Sequence, residues 1–368
     1  MTVRKLEGRH ISILMALQED PMISVSELID KSGLSQTTVY QDLKWLNGNP
    51  PGATFQYFRV VADFAEDALG LETMDIILDI PDFNQYSVIE EILDNHPYTK
   101  YRIRIHGSTN GFFVQFRIPS GTSKYIVALL ESLRKSDSLK KYRVLPTHNT
   151  ESIYTVSFLK NWDLKTFSWS FDVESWGSSR LKPTTHTPDI RKNSRLDLLK
   201  CLDIRIMCHL TRDSRRKNSE IIDALSKEGI EITSQDFSRR LKTINEHFIR
   251  GYRMFIEPEA FDLWSNVLVT AEVTKEASEE LRARMHQHAF PFRSTMKLSD
   301  DFLLWFIRLP PGHVTELINY LHRITNNMDV NLADYKRSEV YCLWDEAFDE
   351  EQHQWRSDKK FLTNGVIS

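Results

Sequence analysis

The segment LSQTTVYQDLKWL, residues 34–46, recurs as ITSQDFSRRLKTI, residues 232–244, at a constant offset of 198. Leu34 matches Ile232, Ser35 matches Thr233, Val39 matches Phe237, Leu43 matches Leu241 and Leu46 matches Ile244. Further along each half, RIPSG (117–121) answers RLPPG (308–312) at an offset of 191. Two echoes in the same order define a module of about half the chain, duplicated in tandem. Solenoid repeats run about 20–50 residues, so this period belongs to a pair of domains. Function is therefore a question for one module first and for the pair second.

Each echo sits in the same local pattern. In the first half, Leu6, Ile11, Leu14 and Leu17 recur at helical spacing. A short helix follows a cap at Ser24 or Ser26, buries Leu28 and Ile29, and ends at Gly33. Ser35 then caps a third helix whose stripe Val39, Leu43 and Leu46 occupies one face. Three helices with a Gly-containing turn before the last form a helix-turn-helix. After the turn-forming residues 47–52, the chain gains β character through Phe55, Tyr57, Phe58, Val60 and Val61, as a wing hairpin would. The second copy repeats this with Ile206, Met207 and Leu210, then Ile221, Ile222 and Leu225, then Phe237, Leu241 and Ile244. Its wing candidate is residues 248–256, and its connection over 227–232 is longer.

Each unit is followed by strand, helix, strand, strand, helix, strand. The first half reads strands at 74–80, 98–105, 112–118 and 142–145, with helices at 85–94 and 122–134. The second reads strands at 267–273, 292–298, 302–309 and 329–335, with helices at 277–288 and 314–325. That order is the ferredoxin-like split βαβ. The expected fold is α+β: two tandem modules, each a winged helix-turn-helix followed by a ferredoxin-like βαββαβ sandwich. The boundaries are winged domains over 1–62 and 196–257 and αβ domains over 70–159 and 265–344. An aromatic, Ser- and Pro-rich linker covers 160–195, and an acidic, then loose, tail covers 345–368.

This combination resembles the Lrp/AsnC family of transcription regulators, on element order and on the turn–strand–RxP–helix segment. The resemblance covers roughly residues 6–159 and 196–344. The family has a short Gly-containing turn before its third strand; Gly107-Ser108-Thr109-Asn110-Gly111 fits it, whereas Ser299-Asp300-Asp301 has no glycine. Family members carry one module per chain and dimerise, so the resemblance implies that one chain supplies both halves of an internal pseudo-dimer. Exposed strand edges leave room for further homodimerisation. It also implies a small-molecule effector near Gly107, Asn110 and Gly111 and near Asp300 and Asp301.

With the apolar stripes facing inward, Gln36, Thr37, Tyr40, Gln41 and Lys44 point outward on the first third helix. On the second, Ser234, Gln235, Ser238, Arg239 and Lys242 do so, with Arg240 at the flank. A recognition helix reads base edges in the major groove, where Gln suits adenine and Arg suits guanine. Arg212, Arg215, Arg216 and Lys217 form a basic cluster suited to phosphates, and Arg59, Arg250 and Arg253 sit on the wing candidates. The net charge of −4 hides a local excess: residues 180–257 hold 17 Lys and Arg against 11 acids. Double-stranded DNA is accordingly the expected partner, through two unlike half-sites.

Other classes fare worse. No catalytic motif stands out, so the reading is a non-enzyme with no catalytic residue. No cofactor is expected. The scattered His residues, with His286 and His288 on different faces of a helix, and the three cysteines, Cys201, Cys208 and Cys342, suggest no metal site. No apolar run is long enough for a membrane span and no signal-like segment opens the chain, which points to the cytoplasm. The expected function is a sequence-specific regulator of the Lrp/AsnC type. One alternative is an enzyme on the same scaffold, resembling the tetrapyrrole decarboxylases of haem pathways. Another is a co-regulator that contacts proteins through its acidic segment, residues 345–351.

Overall fold

A computed structural model describes residues 6–48, 56–148, 150–182 and 193–363. The first three helices are α1 (Gly8–Glu19), α2 (Val25–Ser32) and α3 (Gln36–Leu46). Ser24 and Glu27 form a reciprocal capping box on α2: the Ser24 hydroxyl accepts from the Glu27 N–H, and the Glu27 carboxylate accepts from the Ser24 N–H. Gly33, at φ 65°, ends that helix in the left-handed region. Ser35 caps α3, which buries Val39, Leu43 and Leu46 as its spacing predicts. Residues 49–55, part of the first wing expectation, lie outside the described residues, as does 183–192 of the expected linker.

The chain continues through β1 (Phe58–Phe64), β2 (Leu71–Asp79), α4 (Gln85–Asn95), β3 (Thr99–Gly107), β4 (Gly111–Pro119), α5 (Ser123–Lys135), β5 (Lys141–Val144) and β6 (Ser152–Thr155). After β7 (Trp162–Asp163), β8 (Ser168–Trp169) and α6 (Val173–Ser178), the second copy opens with α7 (Cys201–Arg212), α8 (Asn218–Lys227) and α9 (Ser234–His247). It proceeds through β9 (Ile249–Ile256), β10 (Ser265–Val273), α10 (Lys275–Gln287), β11 (Ser294–Leu298), β12 (Phe302–Leu309), α11 (Gly312–Ile324) and β13 (Thr325–Val340). The chain closes on β14 (Phe348–Asp349), β15 (Gln354–Trp355) and α12 (Lys359–Thr363). Both βαββαβ runs stand where the sequence periodicity puts them.

The strands join in one nine-stranded sheet, ordered β5-β2-β4-β3-β13-β10-β12-β11-β6. Strand β13 runs along β10 from Thr325 to Leu332 and along β3 from Asn331 to Val340, the latter pairing with a register shift between Asp334 and Glu339. In the first half, β5 lies along β2 and β6 along β11, so these two strands together repeat what β13 does alone. Each module therefore lends its last strand to the other, as a two-fold pseudo-dimer requires. Ile77, Ile103, Ile105 and Phe113 of one module share a core with Leu268 and Leu304 of the other, because the two half-sheets pack face to face.

Among the described residues, the segments expected as wings do not form separate hairpins. Strands β1 and β9 pair with each other, from Phe58 opposite Ile256 to Phe64 opposite Ile249. The exchange carries the helices with it. Leu14, Val39 and Leu46 share a core with Val267, Trp305 and Leu321 of the second module. Ile204, Phe237 and Ile244 share one with Ile76, Phe116 and Leu130 of the first. Among the described residues no helix is long and apolar enough to cross a membrane.

The duplication also reaches further than the two echoes. Trp162 to Trp169 and Phe348 to Trp355 are equivalent hairpins at an offset of 186. Phe167 and His353, which match at that offset, both adopt φ 50°. The Trp169 indole donates to the Phe261 carbonyl at 2.6 Å, and the Trp355 indole donates to the Leu69 carbonyl at 2.7 Å. Residues 162–169 of the expected linker and 348–355 of the expected tail are thus one packed element, present twice. The acidic stretch is held by its own chain: Arg205 pairs with Asp345 at 2.8 Å, and Glu350 accepts the Cys201 N–H at 2.9 Å.

Candidate functional site

Two surfaces compete. The first is the pair of third helices. Gln36, Thr37, Tyr40, Gln41 and Lys44 are all exposed on α3, with Tyr40 54% exposed, and they form the outward face that the spacing predicts. On α9, Ser234, Gln235, Ser238, Arg239 and Lys242 are exposed too. There the cations already have partners on their own helix: Arg239 pairs with Asp236 at 2.7 Å and Lys242 with Glu246 at 3.8 Å. Arg215 donates to the carbonyls of Pro21 and Ile23, both at 2.9 Å, and so ties the two helical units together. Arg216 donates to the Glu220 carbonyl at 3.1 Å. Arg240 binds the buried Asp203 carboxylate and the Leu198 carbonyl. In copy one, His10 and Asp42 occupy the corresponding places, 3.3 Å apart, with acid and base exchanged. Arg240 is thus part of a helix-to-helix brace.

The second surface is a central cavity of about 1790 Å³, bounded by the β1–β9 ribbon, β2, β6, α10 and β11. The ribbon contributes Arg59, Arg250, Arg253, Tyr252 and Phe255, so the strands that exchange the modules also build its wall. Lys100 lines it from the start of β3, Arg117 from the end of β4 and Arg293 from just before β11, and His286 comes from α10. Several of these cations are matched locally. Arg250 pairs with Asp67 at 2.9 Å, Arg253 pairs with Asp63 while lying 3.6 Å over the Tyr154 ring, and Lys100 pairs with Glu66 at 2.5 Å. Among the described residues, Arg59 and Arg293 have no carboxylate partner.

Glu66 shows how tightly one end is balanced. Burial would raise its carboxyl, but Lys100 and Arg117 outweigh that and hold it down to about 2. Its folded value lies below its ordinary 4.5, so its stabilising contribution is complete above that value and is lost as pH falls toward 2. Glu66→Gln should flatten the fall of stability across that acid window. It should also cost about 1.5–3 kcal/mol at neutral pH, the weight of a charge-assisted bond. Chemical denaturation at stepped pH checks both; parallel curves for the two proteins would contradict the assignment.

The positions expected for an effector have different neighbours. The turn from Gly107 to Gly111 abuts β13 and β2: a Cβ on Gly107, at φ 146°, would stand 2.5 Å from the Val330 carbonyl oxygen. One on Gly111 would stand 2.0 Å from that of Leu78. The Thr109 N–H donates to the Asn331 side chain at 2.8 Å, and the exposed Asn110 accepts the Ile80 N–H through its carbonyl at 2.9 Å. The glycines of this turn are thus explained by close backbone approach. Asp300 lines the central cavity, and Asp301 accepts the Val273 N–H through its carbonyl. The cavity as a whole escapes sequence reasoning. Arg117 and Arg308 repeat visibly as the RxP arginines, but nothing local marks Glu66, Lys100 or Arg293 as their neighbours.

No known family profile matches this chain, and no curated protein matches it. Solved structures do. The siroheme decarboxylase NirDL is 13% identical with a TM-score of 0.53, covering 98% of this chain and 100% of its own. The same enzyme in complex with an iron-uroporphyrin III analogue is 12% identical with a TM-score of 0.51, covering 97% and 99%. The AsnC regulator of E. coli, 14% identical with a TM-score of 0.29, covers 39% of this chain and 91% of its own. At these identities the likeness is one of fold: a two-module α+β architecture shared over the full length with NirDL. The expectation of a non-enzyme is corrected by that match, since the architecture shared from end to end is an enzyme's.

Proposed function

We propose that the chain is an enzyme that takes a large polycarboxylate ring of the siroheme class into the central cavity and removes carboxyl groups from it as CO₂. The cavity carries this reading. At about 1790 Å³ it exceeds the roughly 300–1,000 Å³ of ordinary small-molecule sites. Arg59 and Arg117 face it from the first half, and Arg253 and Arg293 face it from the second. Arginine forks suit carboxylates, and Tyr154, Tyr252 and Phe255 offer ring faces. The full-length likeness to NirDL supports the same reading.

The chemistry asked of the residues is limited. A side-chain carboxylate loses CO₂, the C–C bond breaks, and its electron pair takes up one proton to leave a methyl group. The protein must hold the carboxylates, exclude bulk water and deliver that proton. The test is anaerobic incubation of the full chain with siroheme. A spectral shift on binding and loss of CO₂ by mass spectrometry are expected; neither binding nor mass loss would overturn the reading. DNA contact by α3 is a separate proposal, supported by its exposed polar face. It would appear as salt-dependent retardation of the upstream duplex, lost on Gln36→Ala with Gln41→Ala.

A further inference from the structure

We propose that the cavity wall has one built oxyanion subsite, formed by the lining residues Arg59 and Arg293 with the buried Arg308 beside them, which takes a carboxylate of the bound ligand and so fixes its orientation. The inference deepens the decarboxylase reading and uses the internal duplication as its control. Arg117 and Arg308 are the same residue of the two modules. Around Arg117 the charge is balanced by Glu66, itself paired with Lys100. The tryptophan-bound carbonyls fix the register of the comparison, with Leu69 opposite Phe261. Three residues before each stand Glu66 and Pro258, so the second half has no acid there. Lys100 follows Tyr98 by two residues, and the residue two after the matching Phe292 is Ser294.

Arg308 is left with an unfinished set of partners. It is only 8% exposed; its Nε donates to the Asn266 side chain at 2.7 Å, its guanidinium lies 3.7 Å over the Tyr335 ring, and its Nη1 is buried without a partner. Arg293 is its cross-strand neighbour, its backbone carbonyl accepting the Arg308 N–H at 2.9 Å. The Arg293 guanidinium lies 3.8 Å over Phe255, whose cross-strand neighbour is Arg59. Arg59, Phe255 and Arg293 all line the cavity. Burial, and then repulsion from Arg308 and Arg59, hold the Arg293 guanidinium down to about 9, with no carboxylate among its main electrostatic neighbours. Three cations gathered without an acid, two of them over aromatic rings, cost stability until an anion arrives.

The test uses the full chain with two probes, inorganic sulfate and uroporphyrin, alongside the methyl ester of uroporphyrin. In anion-poor buffer, Arg293→Met should melt higher than the parent, the opposite of a merely structural arginine. Sulfate should raise the melting temperature of the parent more than chloride of equal ionic strength, and this excess should vanish in Arg293→Met. Uroporphyrin should bind Arg293→Met and Arg308→Lys about ten- to hundredfold more weakly, the loss of a charge-assisted bond. The uncharged ester should not tell the proteins apart. Sulfate protection without porphyrin binding would sink the tetrapyrrole reading and keep the subsite. Porphyrin binding untouched by both variants, or a lower melting temperature for Arg293→Met with sulfate protection retained, would overturn the subsite and keep the reading.

Discussion

Removing residues 345–368 is expected to abolish cooperative folding of the whole chain, not merely to trim an end. Phe348, Trp355 and Leu362 are buried in the core that also contains Phe237 of the second helical unit and Phe116 of the first sheet. Burying such side chains contributes about 1.5–3 kcal/mol each, so these three carry roughly 5–9 kcal/mol, a large part of an ordinary domain's stability. Polar anchors are lost as well: Tyr98 donates to the Arg356 carbonyl at 2.6 Å, and the buried His96 ring contacts that of Leu362 at 3.2 Å. Trp169→Ala should act alike at the equivalent place, at about 3–5 kcal/mol. Chemical denaturation of the truncated and substituted chains checks this. An unchanged midpoint after truncation would mean that the hairpin merely decorates the surface.

This expectation is invisible in the sequence for a definite reason. The two hairpin segments share Asp163 with Asp349, Trp169 with Trp355 and Asp172 with Asp358, and little else. One reads as aromatic and the other as acidic, because Leu164 and Lys165 face Glu350 and Glu351. Composition thus suggested a linker and a tail, where the repeated indole bonds to Phe261 and Leu69 keep one structure. The βαββαβ runs were legible because each strand and helix announces itself through its own period. The exchange of strands was not, since the pairing of β13 with β3 and of β6 with β11 joins residues far apart in the chain. The candidate site suffers most from this. Arg59, Arg293 and Arg308 come from three separated segments, and only Arg308 carried a repeat signature. Spacing predicts the exposed faces of α3 and α9, yet Arg215 and Arg240, which look equally suited to phosphate, are engaged inside the protein.

His286→Gln is expected to reduce turnover on a siroheme-class substrate by about 10²–10⁴-fold while leaving its binding nearly unchanged, the usual weight of one positioned proton donor. Loss of CO₂ leaves an electron pair that must be protonated, so the cavity needs a group that gives up a proton near neutral pH. Lys100 is committed to Glu66. Burial pushes the phenols of Tyr252 and Tyr341 up, so they hold their protons too firmly. The Cys342 thiol is hydrogen-bonded to Cys208 and Thr211, and an acid already engaged there is poorly placed to serve a ligand. His286, presented by α10, is the histidine among the lining residues, and histidine is the side chain that most often moves a proton in general acid–base catalysis. Single-turnover measurement separates the two quantities, since bound-substrate absorbance reports occupancy and CO₂ release reports chemistry. A variant that binds and turns over like the parent would move the proton donor elsewhere. One that fails to bind would make His286 a ligand-positioning residue.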